Sequence, residues 1–174
     1  GGIGTSSSAN ITNCASFNNA GLGISAGVGS TIYACTASGN GSSGISTSSG
    51  CAVIDCTTRA NATDGIVASS GCLIRGNTCN SNGSPGNGAG IHITSTDNRI
   101  EGNNCTGADR GIDIDSTGNI VIRNTCSGNT VNWDIVAGNA LAPIVFAANN
   151  AANVVGSTYA GSLGSSDPNA NFTY

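Results

Sequence analysis

The stretch 44–56, GISTSSGCAVIDC, is matched in the next part of the chain by the stretch 65–77, GIVASSGCLIRGN. The two segments share a Gly-Ile start, a central Ser-Gly-Cys and a pair of apolar residues directly after that cysteine. Cys51 corresponds to Cys72, whereas Cys56 corresponds to Asn77. If this repeat continues along the chain it decides the fold, because repeat proteins stack one structural unit on the next.

The repeat continues through most of the sequence at a nearly constant interval. An isoleucine opens each unit, a second apolar column follows in register, and a third position is held by Cys or Asn. The opening residues are Ile3, Ile24, Ile45, Ile66, Ile91, Ile112 and Ile135; the second column is Ile11, Ile32, Val53, Ile74, Ile100 and Val121; the third is Cys14, Cys35, Cys56, Asn77, Asn103 and Asn124.

Within each unit, apolar and polar residues alternate, as in GIHIT (90–94) and GIDID (111–115). Alternation with a period of two predicts short strands with one buried face, whereas helical repeats are about 33 residues or longer. We therefore predict an all-β parallel β-helix of about seven coils over residues 1–139, with a period of about 21 residues, followed by a tail over 140–174. The glycine before each isoleucine is expected to permit a sharp bend. The extra residues around 82–90 are expected to form a surface loop.

These repeats resemble right-handed parallel β-helix proteins, the broad group that includes pectate-lyase-like enzymes. The resemblance covers about residues 2–139 and implies a fold, not a function. From GNIVIRN (118–124) to the final FTY, the chain is similar to the carboxyl end of secreted bacterial β-helix proteins of unassigned function. That similarity implies an extracellular or cell-surface protein.

The composition excludes some partners. Only 8% of the residues are charged, the formal net charge is −4, and all five basic residues are arginines. Binding to a phosphate backbone requires clustered Lys and Arg, so no nucleic-acid partner is predicted. No run approaches the roughly 18 apolar residues that span a bilayer, so no membrane span is predicted.

The eight cysteines fall into three columns of the repeat. Because adjacent coils lie about 4.8 Å apart, a disulfide between neighbours in a column is geometrically possible, and buried free thiols used for packing are the alternative. A cysteine metal site is disfavoured, since the chain has no Cys-x-x-Cys pair and a single His; no metal or other cofactor is predicted. The columns are Cys14, Cys35 and Cys56; Cys51 and Cys72; and Cys79, Cys105 and Cys126, with Asn77, Asn103 and Asn124 continuing the first as an asparagine ladder.

Most of the charged residues lie between 97 and 123, close to the single histidine. If the isoleucines of GIHIT and GIDID point inward, His92 points outward and stacks beneath Asp113, with Asp115 beside it. A carbohydrate-active enzyme or a polysaccharide-binding module could use this acidic and arginine face, since glycosidases of this fold use paired aspartates. The candidate residues are His92, Asp113, Asp115, Arg99 and Arg123. Ordinary surface ion pairs are the alternative.

Three Asn-x-Ser/Thr motifs, at Asn40, Asn61 and Asn82, share one column of the repeat. They are possible glycosylation sites. An Asn-, Ser- and Thr-rich chain also produces such motifs by chance.

The tail holds four of the seven aromatic residues, Phe146, Tyr159, Phe172 and Tyr174. A solenoid has two open edges that must be covered. We therefore predict that the tail packs on the β-helix or on a neighbouring copy, and that copies assemble head to tail into a filament. The leading interpretation is an extracellular structural β-solenoid rather than an enzyme, with a polysaccharide enzyme or binding module as the alternative.

Overall fold

The computed structural model describes residues 1–83, 86–146 and 166–174. Every regular element in these ranges is a short strand, and the strands form three parallel sheets, here named A, B and C. Each coil contributes one strand to each sheet, which makes a right-handed parallel β-helix. The predicted fold is therefore confirmed.

The strands of each sheet follow one another at the repeat interval. Sheet A holds β1 (Ile3–Gly4), β4 (Ile24–Ala26), β7 (Ile45–Thr47), β10 (Ile66–Ala68), β13 (Ala89–Ile93), β16 (Arg110–Ile114) and β19 (Val131–Ile135). Sheet B holds β2 (Asn10–Thr12), β5 (Thr31–Tyr33), β8 (Ala52–Ile54), β11 (Leu73–Arg75), β14 (Arg99–Glu101), β17 (Ile120–Ile122) and β20 (Ala140–Leu141). Sheet C holds β3 (Ala15–Phe17), β6 (Thr36–Ser38), β9 (Thr57–Arg59), β12 (Thr78–Asn80), β15 (Asn104–Thr106), β18 (Thr125–Ser127), β22 (Asn171–Thr173) and β21 (Ile144–Phe146).

The core is built from the columns that the sequence predicted. Ile45, Ile66 and Ile91 pair in register in sheet A, and each is completely buried. Val53 and Ile74 do the same in sheet B. Because similar apolar side chains stack in every coil, the interior is one continuous column and each coil depends chiefly on its two neighbours.

At the corner between sheets B and C, cysteine and asparagine perform the same task. The Cys56 N–H donates to Oδ1 of Asn77 at 2.9 Å, and Nδ2 of Asn77 donates to the carbonyl of Val53 at 2.9 Å. One coil earlier, the Cys35 N–H donates to Sγ of Cys56 at 3.4 Å, and that sulfur lies 3.7 Å from the carbonyl of Ile32. Both residue types therefore accept an N–H from the preceding coil and donate to one of its carbonyls, asparagine at shorter distances.

All eight cysteines are free thiols, and seven of them are buried. Burial raises the pKa of Cys56 to about 11. In sheet C, Cys79, Cys105 and Cys126 pair in register and are fully buried. The pKa of Cys79 is raised chiefly by its hydrogen bond with Cys105 and, to a smaller extent, by burial. Protonated, buried thiols are poor nucleophiles and poor metal ligands, so these columns act as packing and hydrogen-bonding units.

The glycine before each isoleucine has a different role from the one expected. Gly65 does not have a positive φ; a Cβ there would lie 2.5 Å from the carbonyl oxygen of Gly90 and 2.4 Å from Oγ1 of Thr58. The next coil and a side chain of sheet C both lie so close to Gly65 that no side chain fits at this position. The bends lie elsewhere, at positions such as Gly71 and Gly76, which have φ of 65° and 67°.

The asparagines of the three sequons face the interior. Asn40, Asn61 and Asn82 are at most 1% exposed and form a second asparagine ladder at the corner between sheets C and A. Nδ2 of Asn40 donates to Oδ1 of Asn61 at 2.8 Å, and Nδ2 of Asn61 donates to Oδ1 of Asn82 at 2.9 Å. The predicted glycosylation is therefore wrong for the folded chain, because the atom that would carry the glycan is buried and already bonded.

The sheets continue past residue 139, into the segment that the sequence assigned to the tail. Strand β20 extends sheet B, and β22, from the last residues of the chain, lies between β18 and β21 in sheet C. Asn171 in β22 accepts the N–H of Asn124 at 2.9 Å and so adds a rung to the corner ladder. Of the predicted assembly aromatics, Phe146 and Tyr174 are exposed, Phe172 is half-buried, and Tyr159 lies outside the described residues.

Candidate functional site

The outer face of sheet A carries a cluster of one imidazole and several carboxylates. His92 in β13 pairs in register with Asp113 in β16. The flanking isoleucines of both strands, such as Ile91 and Ile112, are fully buried, so the alternation turns His92 and Asp113 outward as predicted. Two adjacent, regularly paired strands thus fix the positions of both side chains.

Two aspartates contact the imidazole from neighbouring coils. Nε2 of His92 lies 3.0 Å from Oδ2 of Asp115, and Nδ1 lies 3.7 Å from Oδ2 of Asp64. One potential ligand atom from each of His92, Asp113 and Asp115 lies within 4.8 Å of the other two. The cluster therefore joins residues from three successive coils at one place on the sheet.

The carboxylates hold the histidine in its charged form. The pKa of His92 is raised to about 9, first by Asp64, with burial opposing and Asp115 adding to the rise. Asp115 is the closer partner, but its side chain is 61% exposed, against 13% for Asp64. Water screens the charge of Asp115 more strongly than that of Asp64. Asp64 therefore raises the pKa of His92 more, although it lies farther from the ring.

The side chain of Asp113 is 13% exposed, as is that of Asp64, and both are much less exposed than Asp115. Burial raises the pKa of Asp113, and the charge of His92 opposes that rise. Nε of Arg110 lies 3.6 Å from Asp113 and 2.8 Å from Asp134, with Asp109 3.8 Å from the same guanidinium. Arg110 thereby limits the accumulation of negative charge along this face.

The pH dependence of His92 is a direct test of this arrangement. Because its folded-state pKa of about 9 exceeds the unfolded value of about 6.5, its ion pairs stabilise the fold fully below pH 6.5. That contribution is lost as the pH rises through 9. His92 is the single histidine, so an NMR titration of its ring protons reports this pKa without ambiguity. A midpoint near 6.5 would contradict the ion pairs.

Two of the predicted site residues lie elsewhere. Arg99 belongs to sheet B, and Arg123 follows β17 at the next corner; both pair with Glu101, at 2.7 and 3.0 Å. Neither has a described contact with His92. The prediction was wrong to group them with the histidine. The chain passes from one sheet to the next within a few residues, so residues that are close in the sequence lie on different faces.

Asp64 and the group formed by Arg110 and Asp134 were not predicted as site residues from the sequence. Asp64 lies at the corner before β10, a full coil ahead of His92 and outside the alternating pattern that located the other residues. Asp134 could have been found, because it pairs in register with Asp113 one coil later. Of these residues, Asp64 contacts the histidine, whereas Arg110 and Asp134 lie beside Asp113.

The donor atoms suit a divalent cation of intermediate hardness. One imidazole nitrogen and carboxylate oxygens are typical ligands of Cu²⁺ and Zn²⁺. The soft ligands that Cu⁺ prefers are thioethers and thiolates. The chain contains no methionine, and its cysteines are mostly buried. The site therefore fits an ion such as Cu²⁺ better than Cu⁺.

A family model described as "Periplasmic copper-binding protein (NosD)" matches residues 1–164. The chain belongs to the NosD family. The family is described as periplasmic, which agrees with the predicted extracellular or cell-surface location only in that both lie outside the cytoplasm. The described residues of this NosD family member include no helix that could cross a membrane.

One solved structure gives an independent view of the NosD-family fold. The crystal structure of pectate lyase Pel9A is similar, with a TM-score of 0.66 and 19% sequence identity. The match covers 78% of this chain and 44% of the lyase chain, so this chain spans less than half of that enzyme. At this identity the similarity establishes the β-helix fold alone. No curated protein matches the chain.

Proposed function

We propose that this chain is a β-helix scaffold, working outside the cytoplasm, that binds a divalent metal ion on the outer face of sheet A. The observation that carries the proposal is that one ligand atom from each of His92, Asp113 and Asp115 lies within 4.8 Å of the other two. His92 and Asp113 lie on the paired strands β13 and β16, and Asp115 directly follows β16. The family's description suggests copper, and the nitrogen and oxygen donors favour Cu²⁺. A rigid sheet holds such ligands in place without reorganisation of the backbone.

Binding requires the histidine to give up a proton. The aspartates hold the imidazole in its protonated, cationic form. When a metal ion binds, it replaces that proton as the positive charge beside the carboxylates, and the neutral imidazole remains as a ligand. Asp115, which is exposed, is free to turn toward an ion, whereas Asp113 is fixed by its burial. The chain's own residues thus supply one fixed carboxylate, one adjustable carboxylate and one imidazole.

Calorimetric titration of the protein with Cu²⁺, in the presence of a weak competing chelator, tests the proposal. We expect one bound ion per chain and release of about one proton. His92→Gln and Asp113→Asn are each expected to weaken binding by about 100-fold or more, since even loss of an outer partner costs about 10–100-fold. Asp97→Asn is the matched control, because Asp97 is exposed at a corner with a positive φ that asparagine tolerates.

Two results would reject the proposal. One is the absence of stoichiometric binding to the unaltered protein. The other is binding by His92→Gln as tight as that of Asp97→Asn, which would assign any bound copper to other groups. Turnover of acidic polysaccharides by the unaltered protein, abolished by Asp113→Asn, would instead favour the enzyme predicted as the alternative.

As a second role, we propose end-to-end assembly of copies into a filament. The specific observation is the apolar rim at the last strands of sheets B and C, where Leu141, Ile144 and Phe146 are 41%, 38% and 74% exposed. Edge strands with exposed apolar side chains favour pairing with another chain. Such a contact joins different surfaces of the two copies and does not close on itself.

Sedimentation velocity and negative-stain electron microscopy test this assembly. We expect concentration-dependent association of the unaltered protein and its loss in Phe146→Ser. Val28→Ser, which alters an exposed apolar side chain far from this rim, should leave the association unchanged. Single particles at high protein concentration would rule out the filament.

A further inference from the structure

We propose that Asp64 is a positioning residue that directs Nε2 of His92, rather than Nδ1, to the bound ion. The inference rests on the metal site proposed above and goes further by assigning different roles to the two ring nitrogens. Asp64 is outside the group whose ligand atoms converge within 4.8 Å. Its contacts instead reach the far side of the imidazole.

The two carboxylate oxygens of Asp64 have separate partners. Oδ1 accepts the N–H of Ala89 at 2.8 Å, and Oδ2 lies 3.7 Å from Nδ1 of His92. Ala89 and His92 both belong to β13, so the carboxylate contacts the same strand at its first residue and at the histidine. The backbone carbonyl of Asp64 is also fixed, because it accepts the N–H of Gly44 at 2.9 Å.

This anchoring determines which nitrogen is available. The Asp64 side chain is only 13% exposed, so its charge next to Nδ1 is weakly screened. A carboxylate beside Nδ1 favours a proton on that nitrogen, which leaves the lone pair of the neutral ring on Nε2. Nε2 is the atom that faces Asp115, 3.0 Å away. A carboxylate that orients a metal-binding histidine in this way is a recurrent arrangement.

The position of Asp64 also explains how the longer coil leaves the site intact. The interval between Ile66 and Ile91 is longer than the interval between Ile45 and Ile66, and the extra residues precede β13. By accepting the N–H of Ala89, Asp64 fixes the start of β13 after that insertion. From there, the pairing of β13 with β16 places His92 beside Asp113.

Two variants of Asp64 separate its charge from its backbone contact. Asp64→Asn retains an oxygen that can accept the N–H of Ala89 but removes the negative charge, and we expect it to bind Cu²⁺ about 10-fold more weakly. Asp64→Ala removes both, with an expected loss of about 100-fold. Asp97→Asn again serves as the control, and thermal unfolding of each variant checks that the fold is retained.

The nitrogen assignment needs a measurement that a purely structural role would not alter. Nitrogen-15 NMR of the Zn²⁺ complexes distinguishes metal-bound Nε2 from metal-bound Nδ1. We expect Nε2 alone to bind in the unaltered protein and in Asp97→Asn, and a mixture of both nitrogens in Asp64→Ala.

The outcomes distinguish this inference from the proposed function. If the unaltered protein binds no metal ion, the proposed site is wrong and the role of Asp64 is rejected with it. If Asp113→Asn loses binding while both Asp64 variants bind as tightly as the control through Nε2, the site stands and the role of Asp64 is rejected. Metal-bound Nδ1 in the unaltered protein also overturns it.

Discussion

Replacing Asn103 by leucine is expected to lower the free energy of unfolding by about 4 kcal/mol. The side chain of Asn103 is hydrogen-bonded at both ends inside the β-helix, and the residue is 1% exposed. Its Oδ1 accepts two hydrogen bonds from Asn77, one from the backbone N–H at 2.9 Å and one from Nδ2 at 3.0 Å. Its Nδ2 donates to the carbonyl of Ile74 and to Oδ1 of Asn124, both at 2.9 Å.

The size of the effect follows from the groups that would lose their partners. Leucine would leave the backbone N–H of Asn77 and the carbonyl of Ile74 buried without this partner, and each such group costs about 1–3 kcal/mol. The ladder would also be interrupted between Asn77 and Asn124. Because coils are stabilised chiefly by their neighbours, a break at one rung weakens both adjoining coils.

Asn103→Cys is the matched variant for this prediction. Cysteine occupies the equivalent position at Cys56, where its sulfur accepts an N–H at 3.4 Å and its single S–H faces carbonyl oxygens at 3.2 and 3.7 Å. These bonds are longer and weaker than those of asparagine, so we expect a loss of only about 1–2 kcal/mol. Urea unfolding followed by circular dichroism measures both. Equal losses for Leu and Cys would show that the hydrogen bonds of the ladder contribute little.

Much of the fold could be predicted because each coil repeats the same physical requirements. Ile66 and Ile74 lie in the interior, as the sequence predicted. Alternation within each strand places them on one face of the sheet, and the constant interval between coils stacks that face on the same residue type in the next coil. The exchange of Cys56 for Asn77 in one column is understandable only once both are seen to bond across the coils. The register and the asparagine ladder were thus predictable from the sequence, whereas the matching hydrogen bonds of the cysteines required the structure.

Elements that depend on contacts without a fixed interval were missed. Asn171 continues the ladder of Asn124, but 47 residues separate the two. Asp64 reaches His92 from a corner, where no alternation indicates the direction of a side chain. The sequons failed for a related reason: Asn40 is a ladder residue, and the motif alone does not distinguish an inward asparagine from an exposed one.

Gly111→Ala is expected to destabilise the protein by about 3 kcal/mol or more. A Cβ at this position would lie 2.5 Å from the carbonyl oxygen of Asn132, 2.8 Å from Nδ2 of Asn129 and 3.0 Å from Sγ of Cys126. The closest of these atoms belongs to the backbone of the next coil, which cannot move aside without disturbing the pairing of β16 with β19. Overpacking of a filled interior costs about 1–3 kcal/mol, and displacement of paired backbone adds to this.

Gly4→Ala provides the control for this effect. Gly4 also lies in a strand of sheet A, but a Cβ there has no atom within 4 Å, and its φ is not positive. Alanine at Gly4 should therefore leave the urea midpoint unchanged or raise it slightly, since it restricts the unfolded chain. If both substitutions lowered stability equally, the cost would reflect backbone conformation. Gly111 should differ, because its coil approaches the next one too closely for any side chain, and the adjacent Ile112 and Asp113 depend on that approach for their places in the core and at the proposed metal site.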